Sequence, residues 1–212
     1  MRNIEPVIGV LLAGGQSRRM GGGDKCLLDL AGKPMIAHVI DSLKPQVAAL
    51  VLNANGDPAR FDALKLPVAA DPVEGFAGPL AGVLAGMDWT RANHPDARWI
   101  VTAATDTPFF PGDIVARLLS ATGDEYPAIA LAASNGRVHP VFGLWPTALA
   151  GDLRQALQHG TRKVLDWVNR YPHFEVAFAD VKIGGHSTDP FFNANDPDEF
   201  ARAEAMLAGA SR

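Results

Sequence analysis

The stretch VIGVLLAGGQSRRMGGGDK, from Val7 to Lys25, decides the fold class. Its first seven residues form a continuous apolar run, which is typical of a strand buried on both faces of a parallel sheet. A glycine-rich loop with three cations, Arg18, Arg19 and Lys25, follows this run. Glycines let backbone amides approach an anion closely, and the cations add attraction. The stretch therefore predicts a strand that leads into a phosphate-binding loop, which we favour over a flexible basic surface loop.

The rest of the chain alternates short apolar runs with segments of helical periodicity. Strands are predicted at residues 7–13, 49–53, 68–71, 99–104, 128–133, 138–144 and 174–178, and helices at 35–47, 79–89, 114–119, 147–158, 162–170 and from residue 197 onward. This alternation predicts an α/β fold, a three-layer α/β/α Rossmann-like arrangement with a mostly parallel sheet. The turn Asn135-Gly136 indicates a hairpin and hence at least one antiparallel strand.

Composition excludes several classes of protein. The 212 residues carry 19 Lys and Arg against 23 Asp and Glu, a net charge of −4, which argues against binding nucleic acid. A single cysteine rules out an internal disulfide and a cysteine-based zinc site. No apolar run approaches the roughly 20 residues that span a bilayer, and no signal peptide is evident. We therefore expect one cytoplasmic domain over residues 1–212 that contacts no membrane.

Motifs in a fixed order carry a family resemblance. The N-terminal motifs are Leu12-Ala13-Gly14-Gly15, Ser17-Arg18-Arg19-Met20-Gly21 and Asp24-Lys25. They resemble the signature of nucleotidyltransferases with the nucleotide-diphospho-sugar transferase fold. Further motifs are Gly78-Pro79-Leu80-Ala81-Gly82, Thr105-Asp106-Thr107-Pro108 and Phe192-Asn193-Ala194-Asn195-Asp196-Pro197. With these, the chain most closely resembles the molybdenum cofactor guanylyltransferase family over nearly its full length.

The resemblance implies a specific reaction. GMP would pass from GTP to the terminal phosphate of molybdopterin, or of molybdenum-molybdopterin, with Mg²⁺ as cofactor and pyrophosphate as the second product. The N-terminal part of the domain would bind the nucleotide and the C-terminal part the acceptor. Other molybdenum cofactor biosynthesis proteins and molybdoenzyme maturation chaperones are the protein partners that it implies.

The resemblance also assigns nucleotide contacts to residues at the predicted strand ends. Asn53 would contact the nucleotide, and the Asp71 carboxylate would read guanine by accepting hydrogen bonds from N1–H and the exocyclic amine. Without the resemblance, both residues also fit ordinary turns. The expected GTP-binding residues are Leu12, Ala13, Gly14, Gly15, Gly22, Lys25, Asn53, Asp71, Gly78, Pro79, Leu80 and Asp106.

Three residues are the expected catalytic groups: Lys25, Arg19 and Asp106. Asp106 lies in a motif that resembles a metal-binding one, with Thr105 where cysteine is common, and it would hold Mg²⁺, a cation that prefers hard oxygen ligands. The alternative is that Asp106 caps a helix. A phosphate monoester has a second pKa of about 6 and is mostly ionised at neutral pH, so no general base is required. The cations would neutralise the triphosphate and the departing pyrophosphate.

Acceptor binding is expected from His139, Asn193 and Asn195. The two asparagines lie two positions apart, so both would face one side of an extended segment. The alternative is that Asn195 and Asp196 only cap the last helix. Cys26 has no evident histidine partner and is expected to be a small packing residue.

Two other functions remain open from the sequence. One is a related enzyme of the same fold, a molybdopterin cytidylyltransferase or a sugar-phosphate nucleotidyltransferase. The other is a non-catalytic module that binds and delivers the cofactor. The presence of both Lys25 and Asp106 argues against the second.

Overall fold

The structure, a computed structural model, describes residues 5–13, 24–73 and 78–210. The strands are β1 (Val7–Leu12), β2 (Asp29–Leu30), β3 (Lys33–Pro34), β4 (Ala49–Asn53), β5 (Val68–Ala69), β6 (Trp99–Ala104), β7 (Ile129–Ser134), β8 (Arg137–Pro146), β9 (His173–Ala177), β10 (Val181–Ile183) and β11 (His186–Thr188). The α-helices are α1 (Met35–Leu43), α2 (Pro79–Asn93), α3 (Ile114–Thr122), α4 (Ala150–Gln158), α5 (Val164–Val168) and α6 (Pro197–Ala210).

A seven-stranded sheet forms the centre of the fold, in the order β5-β4-β1-β6-β8-β7-β9. Every pair in it is parallel except the two that include β8, which runs antiparallel to β6 and β7. The β7–β8 connection is the predicted Asn135-Gly136 turn, where both residues have positive φ, 49° and 72°. This is the conformation that a two-residue type I′ hairpin needs, and it explains why these two residue types occur here. The prediction of a mostly parallel sheet with an antiparallel strand is confirmed.

Helices cover both faces of the sheet, which confirms the three-layer arrangement. Side chains of β1 alternate between the faces: Val7 and Leu11 pack with α1 and α3, whereas Ile8 and Val10 pack with α2, α4 and α5. Because both faces are buried, the strand needs apolar residues at every position. This is why the sequence shows a continuous apolar run rather than an alternating one.

Two glycines bring α2 directly onto the sheet. A Cβ at Gly86 would lie 2.5 Å from Val10 Cγ2 on β1, and one at Gly82 would collide with the Asn53 side chain at the end of β4. The backbone of α2 at these two glycines therefore packs directly against side chains of the strands, with no room for a Cβ atom. Its N-terminus is fixed beside the carboxyl ends of β1 and β4.

A smaller apolar cluster joins the C-terminal segment to the N-terminal half. It contains Leu30, Met35, Phe109, Ala194, Ala203 and Met206. The predicted start of α6 is confirmed: Asp196 Oδ1 accepts from the Glu199 N–H at 2.8 Å, and Glu199 Oε2 accepts from the Asn195 N–H at 2.8 Å. This reciprocal arrangement satisfies donors at the helix start.

Several predicted boundaries were wrong. The first predicted helix ends at Leu43, and the one predicted over residues 162–170 covers only Val164–Val168. The hairpins β2–β3 and β10–β11 were not predicted, because strands of two or three residues are too short to show periodicity. Within the described part of the chain, no helix combines the length and the apolar character that crossing a bilayer requires.

Two glycine substitutions should change stability in opposite directions. Gly86→Ala is expected to lower the free energy of unfolding by about 1–3 kcal/mol, because the new methyl group collides with Val10 in the central strand. Gly151→Ala, in α4 with open space around the new methyl group, is expected to raise it by about 0.5 kcal/mol. Urea denaturation of both variants measures this, and equal effects would contradict the close α2–β1 packing.

Candidate active site

The carboxyl ends of four neighbouring strands meet at one edge of the sheet. Leu12, the last residue of β1, pairs with Asn53 at the end of β4 and with Ala104 at the end of β6. Asp71 follows β5 by two residues and Asp106 follows β6 by two residues. The fold therefore brings the predicted nucleotide and metal residues to the same edge, where ligands of such sheets bind.

Lys25 is at the centre of the first polar cluster. Its Nζ lies 3.2 Å from Asp106 Oδ2 and donates to Asn195 Oδ1 at 2.9 Å. The side chains are 12% exposed for Lys25 and 27% for Asp106, so this ion pair is partly shielded from solvent. Two hard oxygens thus face one cation in this structure.

The segment before α6 is fixed to the Asp106 loop. The Ala194 N–H donates to the Asp106 carbonyl at 3.0 Å, and Thr107 Oγ1 donates to Asn193 Oδ1 at 2.5 Å. The segment is irregular rather than a strand, yet both asparagine side chains reach the residues around Asp106. Thus the two predicted acceptor asparagines and the predicted metal ligand form one site.

The alternatives based on helix capping are answered by these contacts. Helix α3 begins at Ile114, several residues beyond Asp106, so the Asp106 carboxylate does not cap it. At α6 the capping side chain is Asp196, whereas the Asn195 side chain binds Lys25.

Asp71 is at the centre of a second polar cluster. Its Oδ1 accepts from Asn53 Nδ2 at 2.9 Å, and its Oδ2 accepts from Asn55 Nδ2 at 2.7 Å. Asn53 is 4% exposed and also donates to the Ala69 carbonyl at 3.1 Å. It is therefore a buried residue at the end of β4 that bonds to the neighbouring strand, and it is not a turn residue. Each carboxylate oxygen has a second lone pair, so Asp71 can still accept hydrogen bonds from a ligand.

The structure places the predicted Gly78–Leu80 segment at the start of α2, and its contact with a nucleotide stays a prediction. Gly78 and Pro79 are exposed at the start of α2, but the Leu80 side chain is 1% exposed and packs in the core against the sheet. Its side chain cannot touch a nucleotide, so only its backbone N–H, at the helix N-terminus, is suited to such a contact. The backbones of Leu12 and Ala13 are bonded within the sheet edge: the Leu12 carbonyl accepts from Thr105 Oγ1, and the Ala13 N–H donates to the Asn53 carbonyl.

His139 lies in a separate network near the β7–β8 hairpin. Ser134 Oγ is 2.8 Å from both Asp189 oxygens and 2.7 Å from His139 Nε2. Because the serine hydrogen goes to the carboxylate, Nε2 carries the proton and donates to Ser134. Burial is the main cause that lowers the pKa of His139. The positive charge of Arg137 lowers this pKa further, whereas the negative charge of Asp189 partly offsets both effects. Among the described residues, no hydrogen bond connects His139 to the Lys25 cluster or to the Asp71 cluster.

Four predicted residues lie outside the described part of the chain: Gly14, Gly15, Arg19 and Gly22. Their roles in the phosphate loop stay predictions.

A divalent cation fits the donors around Asp106. The Asp106 carboxylate and the Asn195 amide oxygen are hard ligands that already share one cation, the Lys25 ammonium. Over residues 5–13, 24–73 and 78–210, no three His, Cys, Asp or Glu side chains gather into a metal-binding group. A magnesium ion here would need further oxygen ligands from a substrate phosphate or water.

Comparison with known proteins decides the family. The family described as MobA-like NTP transferase domain matches residues 9–174. The chain belongs to this family. A Rhodopseudomonas palustris protein named molybdenum cofactor guanylyltransferase is 53% identical over 204 residues, which cover 96% of this chain and 95% of that protein. The family predicted from the motifs is therefore confirmed, and with it the class of nucleotidyltransferases.

Two solved structures share the MobA-like fold. The Archaeoglobus fulgidus molybdopterin-guanine dinucleotide biosynthesis protein A has a TM-score of 0.72 at 22% identity, and the match covers 95% of this chain and 99% of that one. A Mycobacterium tuberculosis protein solved in complex with manganese has a TM-score of 0.65 at 17% identity, covering 95% and 98% of the two chains. At these identities, the comparison shows a common fold.

Sequence reasoning missed several side chains of the two polar clusters. Thr107 holds Asn193, Asn55 holds Asp71, and Arg60 Nε pairs with Asp24 Oδ2 at 2.5 Å. Thr107 and Asn55 each lie within two residues of a predicted site residue, and this closeness in sequence could have identified them as site candidates. Arg60 lies on the 3₁₀ segment Pro58–Leu64, and nothing in its surrounding sequence indicates its partners.

Cys26 is a packing residue, as predicted. It is 5% exposed, next to Lys25 in the chain, and belongs to the main apolar core. Burial, together with the nearby Asp24 charge, raises the pKa of its thiol to about 11. The thiol is therefore protonated at neutral pH and is not a nucleophile.

This predicts slow reaction of Cys26 with a thiol reagent. With its pKa at about 11, about one molecule in a thousand carries a thiolate at pH 8, whereas an unfolded cysteine with a pKa near 8.5 is about a quarter ionised. A thiolate of higher pKa is also more nucleophilic, which offsets part of this difference, so we expect native protein to react with a disulfide reagent at least about tenfold more slowly than protein unfolded in guanidinium. Complete labelling of the native protein at the unfolded rate would contradict the burial of Cys26.

Proposed function

We propose that the protein transfers GMP from GTP to the terminal phosphate of molybdopterin, or of its molybdenum-loaded form. The observation that carries this proposal is the placement of Asp71, Lys25 and Asp106 at one edge of the sheet in a member of this family. An acceptor phosphate oxygen attacks the α-phosphorus of GTP. The bond from that phosphorus to the bridging oxygen breaks, and pyrophosphate leaves.

The Asp71 cluster is suited to reading guanine. Guanine presents two adjacent donors, N1–H and the exocyclic amine, which match the two oxygens of one carboxylate. Asn53 and Asn55 hold those oxygens in a fixed orientation. Cytosine and uracil do not offer such a pair of donors. If one of them bound here, the Asp71 carboxylate would lose water without gaining two hydrogen bonds, and this cost disfavours both bases.

The Lys25 cluster is suited to the triphosphate. Lys25 would exchange its bonds to Asp106 and Asn195 for phosphate oxygens, and Arg19 would add a second positive charge. Asp106, with Asn195, would hold Mg²⁺. When bound, Mg²⁺ supplies positive charge that neutralises the phosphates and the departing pyrophosphate. These residues neutralise charge rather than move protons, which agrees with a nucleophile that is already ionised.

Acceptor binding is proposed for the C-terminal side of the edge. Asn193 and Asn195 border the Asp106 loop, so a phosphate beside Asp106 would have a pterin ring within reach of their amides. His139 is a further candidate from the separate Ser134–Asp189 network, with its ring against Phe191 at a centroid distance of 4.5 Å. The two sides would make one domain that binds nucleotide in its N-terminal part and acceptor in its C-terminal part. Because GTP is available in the cytoplasm, we propose that the reaction, and any contact with molybdoenzyme maturation chaperones, occurs there.

Guanine preference is the first test of this function. GTP should bind more tightly than CTP, UTP or ATP in calorimetry with magnesium present. Asp71→Ala should weaken GTP binding by about ten- to a hundredfold, because a lost hydrogen bond to a charged group is worth about 1.5–3 kcal/mol. The control is Asp124→Ala, which removes an exposed loop carboxylate away from the sheet edge. Equal affinities of the unmodified protein for GTP and CTP would favour the cytidylyltransferase alternative.

Asp106→Asn should nearly abolish turnover while GTP binding partly survives. The neutral amide is a poor ligand for a hard dication, and the contribution of the metal is largest in the transition state, at several kcal/mol. The loss should therefore appear mainly in kcat. Pyrophosphate release during a magnesium titration measures it, with Asp124→Asn as the matched control.

Two outcomes of this experiment would overturn the role of Asp106 or the enzymatic reaction itself. A near-normal rate for Asp106→Asn at ordinary magnesium removes Asp106 from the site. No turnover by the unmodified protein with excess molybdopterin and magnesium would favour a cofactor-delivery module.

A further inference from the structure

Asn55 binds Asp71 through both ends of its side-chain amide. Asn55 Nδ2 donates to Asp71 Oδ2 at 2.7 Å, and Asn55 Oδ1 accepts from the Asp71 N–H at 2.8 Å. The opposite carboxylate oxygen accepts from Asn53 Nδ2 at 2.9 Å. Each oxygen of Asp71 is thus held by a different asparagine, which fixes the plane of the carboxylate.

Arg60 in turn fixes the backbone around Asn55. One terminal nitrogen of the guanidinium donates to the Asn55 carbonyl at 2.5 Å and the other to the Asp57 carbonyl at 2.8 Å. The guanidinium also lies over the ring of Phe61, 4.6 Å from its centroid, and Phe61 is 1% exposed. A planar cation with five fixed donors can make these contacts together, whereas an ammonium cannot.

The third nitrogen of Arg60 connects this loop to the phosphate side of the site. Arg60 Nε lies 2.5 Å from Asp24 Oδ2, and Asp24 immediately precedes Lys25. The side chains are 31% exposed for Arg60 and 21% for Asp24, so the pair is only partly open to water. A continuous set of polar contacts therefore runs from Asp71 through Asn55 and Arg60 to the residue beside Lys25.

We propose that Asn55 and Arg60 are positioning residues for guanine recognition, which rests on the proposed role of Asp71. Asn55 holds the carboxylate so that the unused lone pair of each oxygen is available to the two donors of the base. Arg60 keeps Asn55 in place and sets its distance from the Asp24–Lys25 segment. Because the carboxylate is already ordered before GTP arrives, binding pays no further ordering cost there.

The opposite effect of Asn55 is physically possible. An amide that occupies Asp71 could compete with the base, and its removal would then strengthen GTP binding. The geometry argues against competition, because Asn55 uses one lone pair of Oδ2 and a carboxylate oxygen has two. The two roles predict opposite signs for the same measurement.

The experiment compares GTP with ITP, which keeps N1–H and lacks the exocyclic amine. Calorimetry on the full chain with magnesium and no acceptor gives the ratio of the two dissociation constants. For Asn55→Ala, we expect the preference for GTP over ITP to fall by about three- to tenfold, because a mobile carboxylate no longer matches both donors. Arg60→Lys keeps the positive charge but loses the fixed fork, and we expect a smaller fall.

If Asn55 has a merely structural role, its removal would weaken the binding of GTP and of ITP equally. The ratio of the two dissociation constants would then stay unchanged. Asn55→Ser, which keeps a small polar side chain, is the second variant if Asn55→Ala does not fold. The matched control is Asn93→Ala, which removes an exposed amide at the far end of α2. In turnover assays the effect should fall on KM more than on kcat.

The outcomes separate this inference from the function on which it rests. If the unmodified protein does not prefer GTP over ITP, the role of Asp71 in reading guanine is wrong. If the unmodified protein prefers GTP and the folded Asn55 variant keeps or increases that preference, the positioning role is overturned.

Discussion

The ammonium of Lys25 unites parts of the chain that are far apart in sequence. It contacts Asp106, 81 positions away, and Asn195, 170 positions away. Nothing local brings these residues together, so the contact requires β1, β6 and the segment before α6 to be in place. An ammonium between a carboxylate and an amide oxygen also keeps the Asp106 charge compensated without a nucleotide, since an unpaired, partly buried charge is costly. The sheet and the small C-terminal core can be understood as the support for this one contact.

Contacts between distant elements also fix the Asp71 cluster at the same edge. Asp71 is held by side chains from the end of β4, and α2 approaches closely enough that Gly82 touches Asn53. Asn53, in the last position of β4, thus anchors a carboxylate that itself lies in a loop, and a pre-ordered polar group favours discrimination between ligands of similar shape. Arg60 joins the Asp71 cluster to the Asp24–Lys25 segment through its pair with Asp24. A displacement of the Asn55 loop would therefore also displace the Asp24–Lys25 segment.

Most of the central sheet could be predicted because its signals are local. Strands β4 and β6 have the predicted bounds, since buried parallel strands give uninterrupted apolar runs, and the Asn135-Gly136 turn follows from backbone sterics. The short hairpins could not be predicted, since their stability comes from packing. For the site, motif resemblance pointed to Asn53, Asp71 and Asp106, which the structure places at one edge of the sheet, and their roles stay predictions. Arg60 was missed because its partners are set by tertiary structure.

The bonds from Ala194 and Asn193 to the Asp106 loop have a consequence for synthesis on the ribosome. Chains emerge from the N-terminus and fold progressively. The strands that carry Asn53, Asp71 and Asp106 can pair before the last helix exists, because all of them precede residue 110. Asn193 and Asn195 follow every strand of the central sheet, so the Asp106 cluster is completed only after the chain of the whole sheet has been made. A chain cut before residue 190 would retain the Asp71 cluster while lacking the two asparagines that border Asp106.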